Sequence, residues 1–193
     1  IVSAFLAAYT IGYLFCGRIL DRLGVKVGLA IALAFWSLAG IGHAFAAGWV
    51  GLMVCRFLLG LGESFNSPGG IKAIAEWVPV RERALSTAVF SNGNIMGAIL
   101  APPLVSFLAI QFDWHWGFII TGLMGFVLLA AWWKFYDVPE RHRGLTEQER
   151  HLIVTTRAVA GAPAARAAMT MRQMLLHPLC LCFFVMRFLT DST

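Results

Sequence analysis

Apolar residues are gathered into five long runs, at residues 1–15, 27–47, 49–75, 84–110 and 116–135, and a sixth begins near Met174. A helix needs roughly 20 apolar residues to cross a hydrocarbon core, and each of the five is that long or nearly so. In lipid, backbone N–H and C=O groups must find partners within the protein. Helices or a closed barrel do this, and the alternating apolar and polar pattern of a barrel strand is missing. The pattern therefore predicts an all-α membrane protein, with a transmembrane bundle of five helices over residues 1–136.

The polar interval 137–172 breaks the pattern. Thr146 and Glu149 have capping-box spacing ahead of "RHLIV", and Thr170 with Gln173 repeats the signal before the sixth run. Between them "AVAGAPAARAA" lacks apolar periodicity and carries Gly161 and Pro163, the mark of a connector. We expect a linker with one short surface helix over 137–172 and the start of a second bundle over 173–193. The chain opens on Ile1 within one apolar run and stops within another, so it reads as a fragment of a longer protein.

Composition agrees. The chain is 59% hydrophobic and 13% charged, with a mean hydropathy of +0.75, against about 25% charged residues in soluble domains. Charge adds an orientation. Arg18, Arg22 and Lys26 lie in the first connection, with Lys72, Arg81 and Arg83 around the third. Lys134, Arg141, Arg143, Arg150, Arg157, Arg166 and Arg172 occupy the fifth, and the second and fourth carry no basic residue. The positive-inside rule then places the odd-numbered connections in the cytoplasm of a multi-pass protein of the cell's inner (plasma) membrane. The net charge of +5 reports this topology. Its residues form no single basic stripe, which excludes a nucleic-acid partner.

Enzymatic chemistry finds no support. The five histidines lie far apart, the four cysteines sit in apolar runs without ligand spacing, and no phosphate loop or nucleophile elbow occurs. No catalytic residue, metal site or cofactor is expected.

The unusual residues are Arg56 and Glu63, inside "CRFLLGLGESF". A charge near the bilayer centre costs about 2.5 to 3.5 kcal/mol on insertion scales, so such groups face a cavity, a partner or a pathway. Seven positions apart, they share a helical face but stand roughly 10 Å apart along the axis. Because helical side chains lean toward the N-terminus, Arg56 points away from Glu63, and each needs its own partner. A guanidinium fork suits a carboxylate. A lone glutamate is pushed toward the neutral acid by desolvation and toward the carboxylate by a nearby cation, so small changes can load or release a proton. Helix-to-helix bonding is the alternative for both. Tyr9, Asn92 and Asn94 are further polar candidates, able to bind a solute or to hydrogen-bond between helices. Glycine pairs 60/62, 69/70 and 93/97 permit close helix contact, and Pro102 with Pro103 bends the fourth run.

The first connection reads "GRILDRLGVKVG", which suggests a tight cytoplasmic turn across Gly17–Gly28. It resembles the major facilitator superfamily signature Gly-x-x-x-Asp-Arg-x-Gly-Arg-Arg/Lys between that family's second and third helices. Gly17, Asp21, Arg22, Gly24 and Lys26 match, and Val25 departs. The stretches "RFLLGLGE", "IKAIAEWVPVRERALS", "GAILAPPLV" and "WHWGFIITGLMGF" resemble the anion:cation symporter family within it, closest to its hexuronate and other sugar-acid members. The resemblance implies helices two to six and the start of seven of a twelve-helix bundle pair. It also implies a monomeric proton-coupled symporter that takes up a small organic anion by alternating access. By the same likeness Arg56 contacts the substrate carboxylate, Glu63 carries the proton and Tyr9 faces the substrate. Asn92 and Asn94 line the site, and Gly17, Asp21, Arg22, Gly24 and Lys26 form the cytoplasmic gate. An uncoupled facilitator or exchanger, or a non-transporting anion sensor, stands as the alternative.

Overall fold

A computed structural model describes residues 1–142 and 144–161. The second capping signal, the sixth apolar run and Arg143, Arg166 and Arg172 lie outside the described residues. Seven α-helices are present among them: α1 Val2–Leu23, α2 Val25–Gly42, α3 Gly48–Glu63, α4 Asn66–Trp77, α5 Arg83–Gln111, α6 Trp114–Phe135 and α7 Glu147–Gly161. Short 3-10 turns, His43–Phe45 and Val80–Glu82, precede α3 and α5. Five stretches are long and apolar enough to cross a membrane: Val2–Leu23, Val25–Phe45, Gly48–Trp77, Val80–Gln111 and Trp114–Phe135.

The first connection is far shorter than its polar residues imply. α1 continues through Gly17, Asp21 and Arg22 to Leu23, and Lys26 already lies in the first turn of α2. The expected turn across 17–28 is thus corrected to one residue, Gly24, at φ 78° and ψ 160°, a conformation open essentially to glycine alone. The cause is a buried stripe at four-residue spacing, Ala8, Gly12, Cys16 and Leu20. Its last member packs with Val25 and Leu29 in the core, which holds the polar segment in helical register.

The third span breaks where the apolar pattern runs on. α3 ends at Glu63, Ser64 and Phe65 form a turn, and α4 starts at Asn66. Pro68 supplies the reason: it has no N–H for the Ser64 carbonyl and its ring clashes with that carbonyl, while a proline within the first turn of α4 costs nothing. The Ser64 hydroxyl donates to the Leu61 carbonyl at 2.7 Å and the Gly69 N–H to that of Phe65 at 2.9 Å, closing the junction.

α1 runs parallel to the broken span in one register. Ala8 meets Gly60, Gly12 meets Ser64, and Leu20 meets Lys72, each pair 52 positions apart. The approach is close because a Cβ on Gly60 would stand 2.5 Å from the Phe5 carbonyl oxygen. We expect Gly60→Ala to destabilise the full-length protein by about 1 to 3 kcal/mol, and Gly60→Val by more, read as a stepwise fall in the thermal unfolding midpoint. α2 packs on α6 with similar intimacy, Gly122 lying against the Ser37 carbonyl and Ile41, and Gly125 against the Ser37 hydroxyl. Gly93 and Gly97 meet nothing within 4 Å, so the contact expected of that pair does not occur among the described residues. α5 runs as a helix through Pro102 and Pro103.

The capping box before α7 is complete. The Thr146 N–H and hydroxyl donate to Glu149 Oε2 at 3.0 and 2.7 Å, and the Glu149 N–H returns to Thr146 Oγ1 at 3.4 Å. Bonding from the Thr146 N–H, then from its hydroxyl, holds the Glu149 carboxyl below the usual range. A depressed folded value means the contribution is whole above the unfolded value of about 4.3 and is lost as pH falls through the folded one. Protection of the Glu149 and Arg150 amides, measured against the unstructured exchange rate at each pH, should therefore drop as pH falls below about 4.3. Thr146→Ala should lower it about fivefold already at pH 7.

Candidate functional site

Arg56 lies mid-way along α3 and Glu63 is its last residue, so the helix break stands directly beside the carboxyl. Both side chains are half-buried, and neither has a hydrogen-bond or ion-pair partner among the described residues. The Arg56 charge is within electrostatic reach of Glu63, yet the two do not pair. That is the geometry expected from a separation of two helical turns with side chains leaning the same way.

The parallel register sets Tyr9 opposite this break. Its side chain, half-buried on α1, faces Ser67 in the first turn of α4 and lies within electrostatic reach of Glu63. The Phe5 and Tyr13 rings flank it at 5.7 and 5.4 Å. Tyr9, Glu63 and Ser67 thus gather at one level, with Arg56 two turns toward the outer end. Asn92 and Asn94 are exposed on α5, which packs against α4, α6 and the Val80–Glu82 turn. They make no hydrogen bond among the described residues.

The signature residues converge at the opposite, basic end. Lys72 of α4 reaches across to α1, donating to Asp21 Oδ1 at 2.6 Å and to the Leu20 carbonyl at 3.1 Å. That carbonyl is among the last four of α1, which lack intrahelical donors. Lys26 lies 3.5 Å from Asp137, and the Trp132 indole donates to the Lys26 carbonyl at 3.1 Å. The Val138 N–H, and then Lys26, hold the Asp137 carboxyl below the ordinary range. The Tyr136 hydroxyl donates to Glu76 at 2.7 Å. Burial, then this carboxylate, push the hydroxyl well above the usual phenol range, so it remains a donor at any physiological pH. Arg83 closes α4, donating to the Val78 and Ala75 carbonyls at 3.0 and 2.8 Å. Gly17 and Arg22 stay exposed.

Two residues escaped sequence reasoning. His43 is 1% exposed. Its Nδ1 donates to the Ala39 carbonyl at 2.7 Å, its ring stacks on Phe118 at 4.9 Å, and Nε2 has no partner. The Arg56 charge reaches it. No spacing signal marks this histidine. Ser67 could have been found from its position four residues after Glu63, on the next turn beyond the break.

Five apolar helices long enough to span a bilayer, one of them carrying two charged residues in its interior, define a multi-pass membrane protein. The whole length supports this, because residues 1–192 match the family model described as Major Facilitator Superfamily. The chain belongs to the Major Facilitator Superfamily. It is similar to the hexuronate transporter of Escherichia coli K12, with 38% identity over 154 residues that make up 80% of this chain and 36% of that protein. A galacturonate transporter of Dickeya chrysanthemi is 38% identical over 155 residues, 80% of this chain and 45% of the relative. A probable galactarate/D-glucarate transporter of Bacillus subtilis is 36% identical over 155 residues, 77% and 34% of the two chains. The chain therefore spans between about a third and a half of the length of these curated relatives.

Proposed function

We propose that the protein carrying this chain is a monomeric, proton-coupled symporter of the plasma membrane that imports a hexuronate or related sugar acid by alternating access. The observation that carries the reading is the unpaired pair on the broken third span, Arg56 and Glu63, with Tyr9 and Ser67 beside the carboxyl. An arginine held without an internal counter-ion is ready for a carboxylate, and its fork geometry selects one. A hydroxyl and a serine at the level of Glu63 suit the hydroxyl groups of a sugar acid. The relatives' names support the same class of solute. The kink after Glu63, where Ser64 and Phe65 keep right-handed helical backbone, places the carboxyl beside a local change in helix bonding.

In this reading Glu63 takes a proton, Arg56 takes the anion, and the joint occupancy lets one half-bundle rock against the other. Asp21, Arg22 and Lys26, with Gly17 and Gly24, form the cytoplasmic gate, which the Lys72 and Asp137 contacts hold in register. Asn92 and Asn94 complete the solute cavity from α5. The test is uptake by the full-length protein in proteoliposomes, with labelled galacturonate competed by glucuronate, glucarate, galactonate and neutral galactose. Competition by the acids and none by the neutral sugar supports the reading. Equal competition by galactose sinks it, and binding without flux identifies a sensor.

A further inference from the structure

A groove on the bundle is lined by neither Arg56 nor Glu63. It lies between α2 and α6 toward the basic end and has a volume of about 620 Å³. Its lining includes the buried Ala30, the half-buried Ala34 and the exposed Ala130, Ile31 and Trp133. Ile31 and Trp133 are 55% and 53% exposed, so this is an outward apolar surface on two spanning helices. Such a surface is covered by acyl chains.

The mouth of the groove carries two lysines and one carboxylate, with a net positive charge. Lys26 is partly neutralised by Asp137 at 3.5 Å, and its ammonium lies 5.7 Å from the Trp133 ring centre. Lys134, in the last turn of α6, lines the groove itself and has no ion-pair partner among the described residues. A cation at the C-terminal end of a helix at the cytoplasmic interface attracts the anionic lipids of that leaflet. A zwitterionic headgroup brings its own ammonium, which Lys134 repels, so the charge pattern selects a net negative phosphodiester.

We propose that the α2/α6 groove is a binding site for an anionic phospholipid of the cytoplasmic leaflet, one acyl chain seated over the three alanines and the phosphate on Lys134. The acyl chain enters the groove from the surrounding bilayer and not from water, so its seating rests on packing against the groove wall, while the lysine sets headgroup preference.

The experiment is native mass spectrometry of the full-length protein released from mixed vesicles of phosphatidylglycerol and phosphatidylethanolamine, with soluble glycerol phosphate as a headgroup-only probe. The parent should retain phosphatidylglycerol in preference. Lys134→Gln should reduce that preference about fivefold or more, since one juxtamembrane lysine is worth about 1 kcal/mol. Ala130→Trp fills the groove with the charge intact and should expel the lipid. Lys134 is exposed and makes no helix-to-helix bond, so its variant reads the headgroup separately from folding. Unchanged phosphatidylglycerol preference in Lys134→Gln, equal retention of phosphatidylethanolamine by the parent, or comparable binding of glycerol phosphate alone overturns the proposal.

Discussion

Replacing Arg56 by lysine is expected to lower sugar-acid uptake by about 30-fold or more, although the positive charge is kept. The guanidinium offers two parallel N–H donors in a fixed plane, and an ammonium on a flexible stem cannot reproduce them. Truncating one member of a buried, hydrogen-bonded charge pair costs about 2 to 5 kcal/mol, and each 1.4 kcal/mol is a factor of about ten. Arg56 makes no ion pair among the described residues, so its loss leaves no orphaned internal partner, and the damage falls on the solute. Equilibrium binding to purified protein separates this from a folding defect: Arg56→Lys should melt close to the parent while its dissociation constant rises. Parent-like affinity in the lysine variant would remove the guanidinium from the solute site.

Under the proposed coupling, Glu63→Gln is expected to abolish accumulation against a gradient while exchange across the membrane persists. Each coupled proton is worth about 1.36 kcal/mol per pH unit, so coupled uptake concentrates the anion about tenfold per unit of imposed pH difference and per proton. Glutamine keeps the size and hydrogen-bonding reach of a protonated glutamate but cannot release a proton. The variant should therefore bring internal and external anion to equality and stop there, with counterflow of labelled against unlabelled anion intact. Position supports this assignment. Glu63 closes α3 beside the break at Ser64 and Phe65, where a small change in either half-helix alters what surrounds the carboxyl. Tenfold accumulation in Glu63→Gln would assign coupling to another group, and a complete loss of counterflow would show that the carboxyl holds the site together.

Much of this protein is legible in one dimension because a bilayer simplifies the problem. Every spanning segment must be apolar and must satisfy its own backbone, so five runs of apolar residues become five spans, and basic connections report orientation. The isolation of Arg56 and Glu63 among leucines and glycines was equally plain, since a charge in lipid needs a reason wherever it occurs. The capping box at Thr146 and Glu149 could be read locally because both partners lie within one turn.

What the string of residues left open depends on contacts between distant segments. The polar stretch 17–23 looks like a turn until Leu20 is seen buried against Val25 and Leu29, which keeps it helical. The break after Glu63 has a local cause in Pro68. Its consequence is not local, because only the parallel register of α1 against α3 and α4 brings Tyr9 to the level of Ser67 and Glu63. Lys72 and Asp21 meet across 51 positions of sequence, and His43 is buried by Phe118 from another helix. Membership of a span, its orientation and its anomalous charges follow from the solvent that surrounds each residue. Which of those charges share a level, and which find partners, follows from close packing of one helix on another, and periodicity within a single helix carries no information about that.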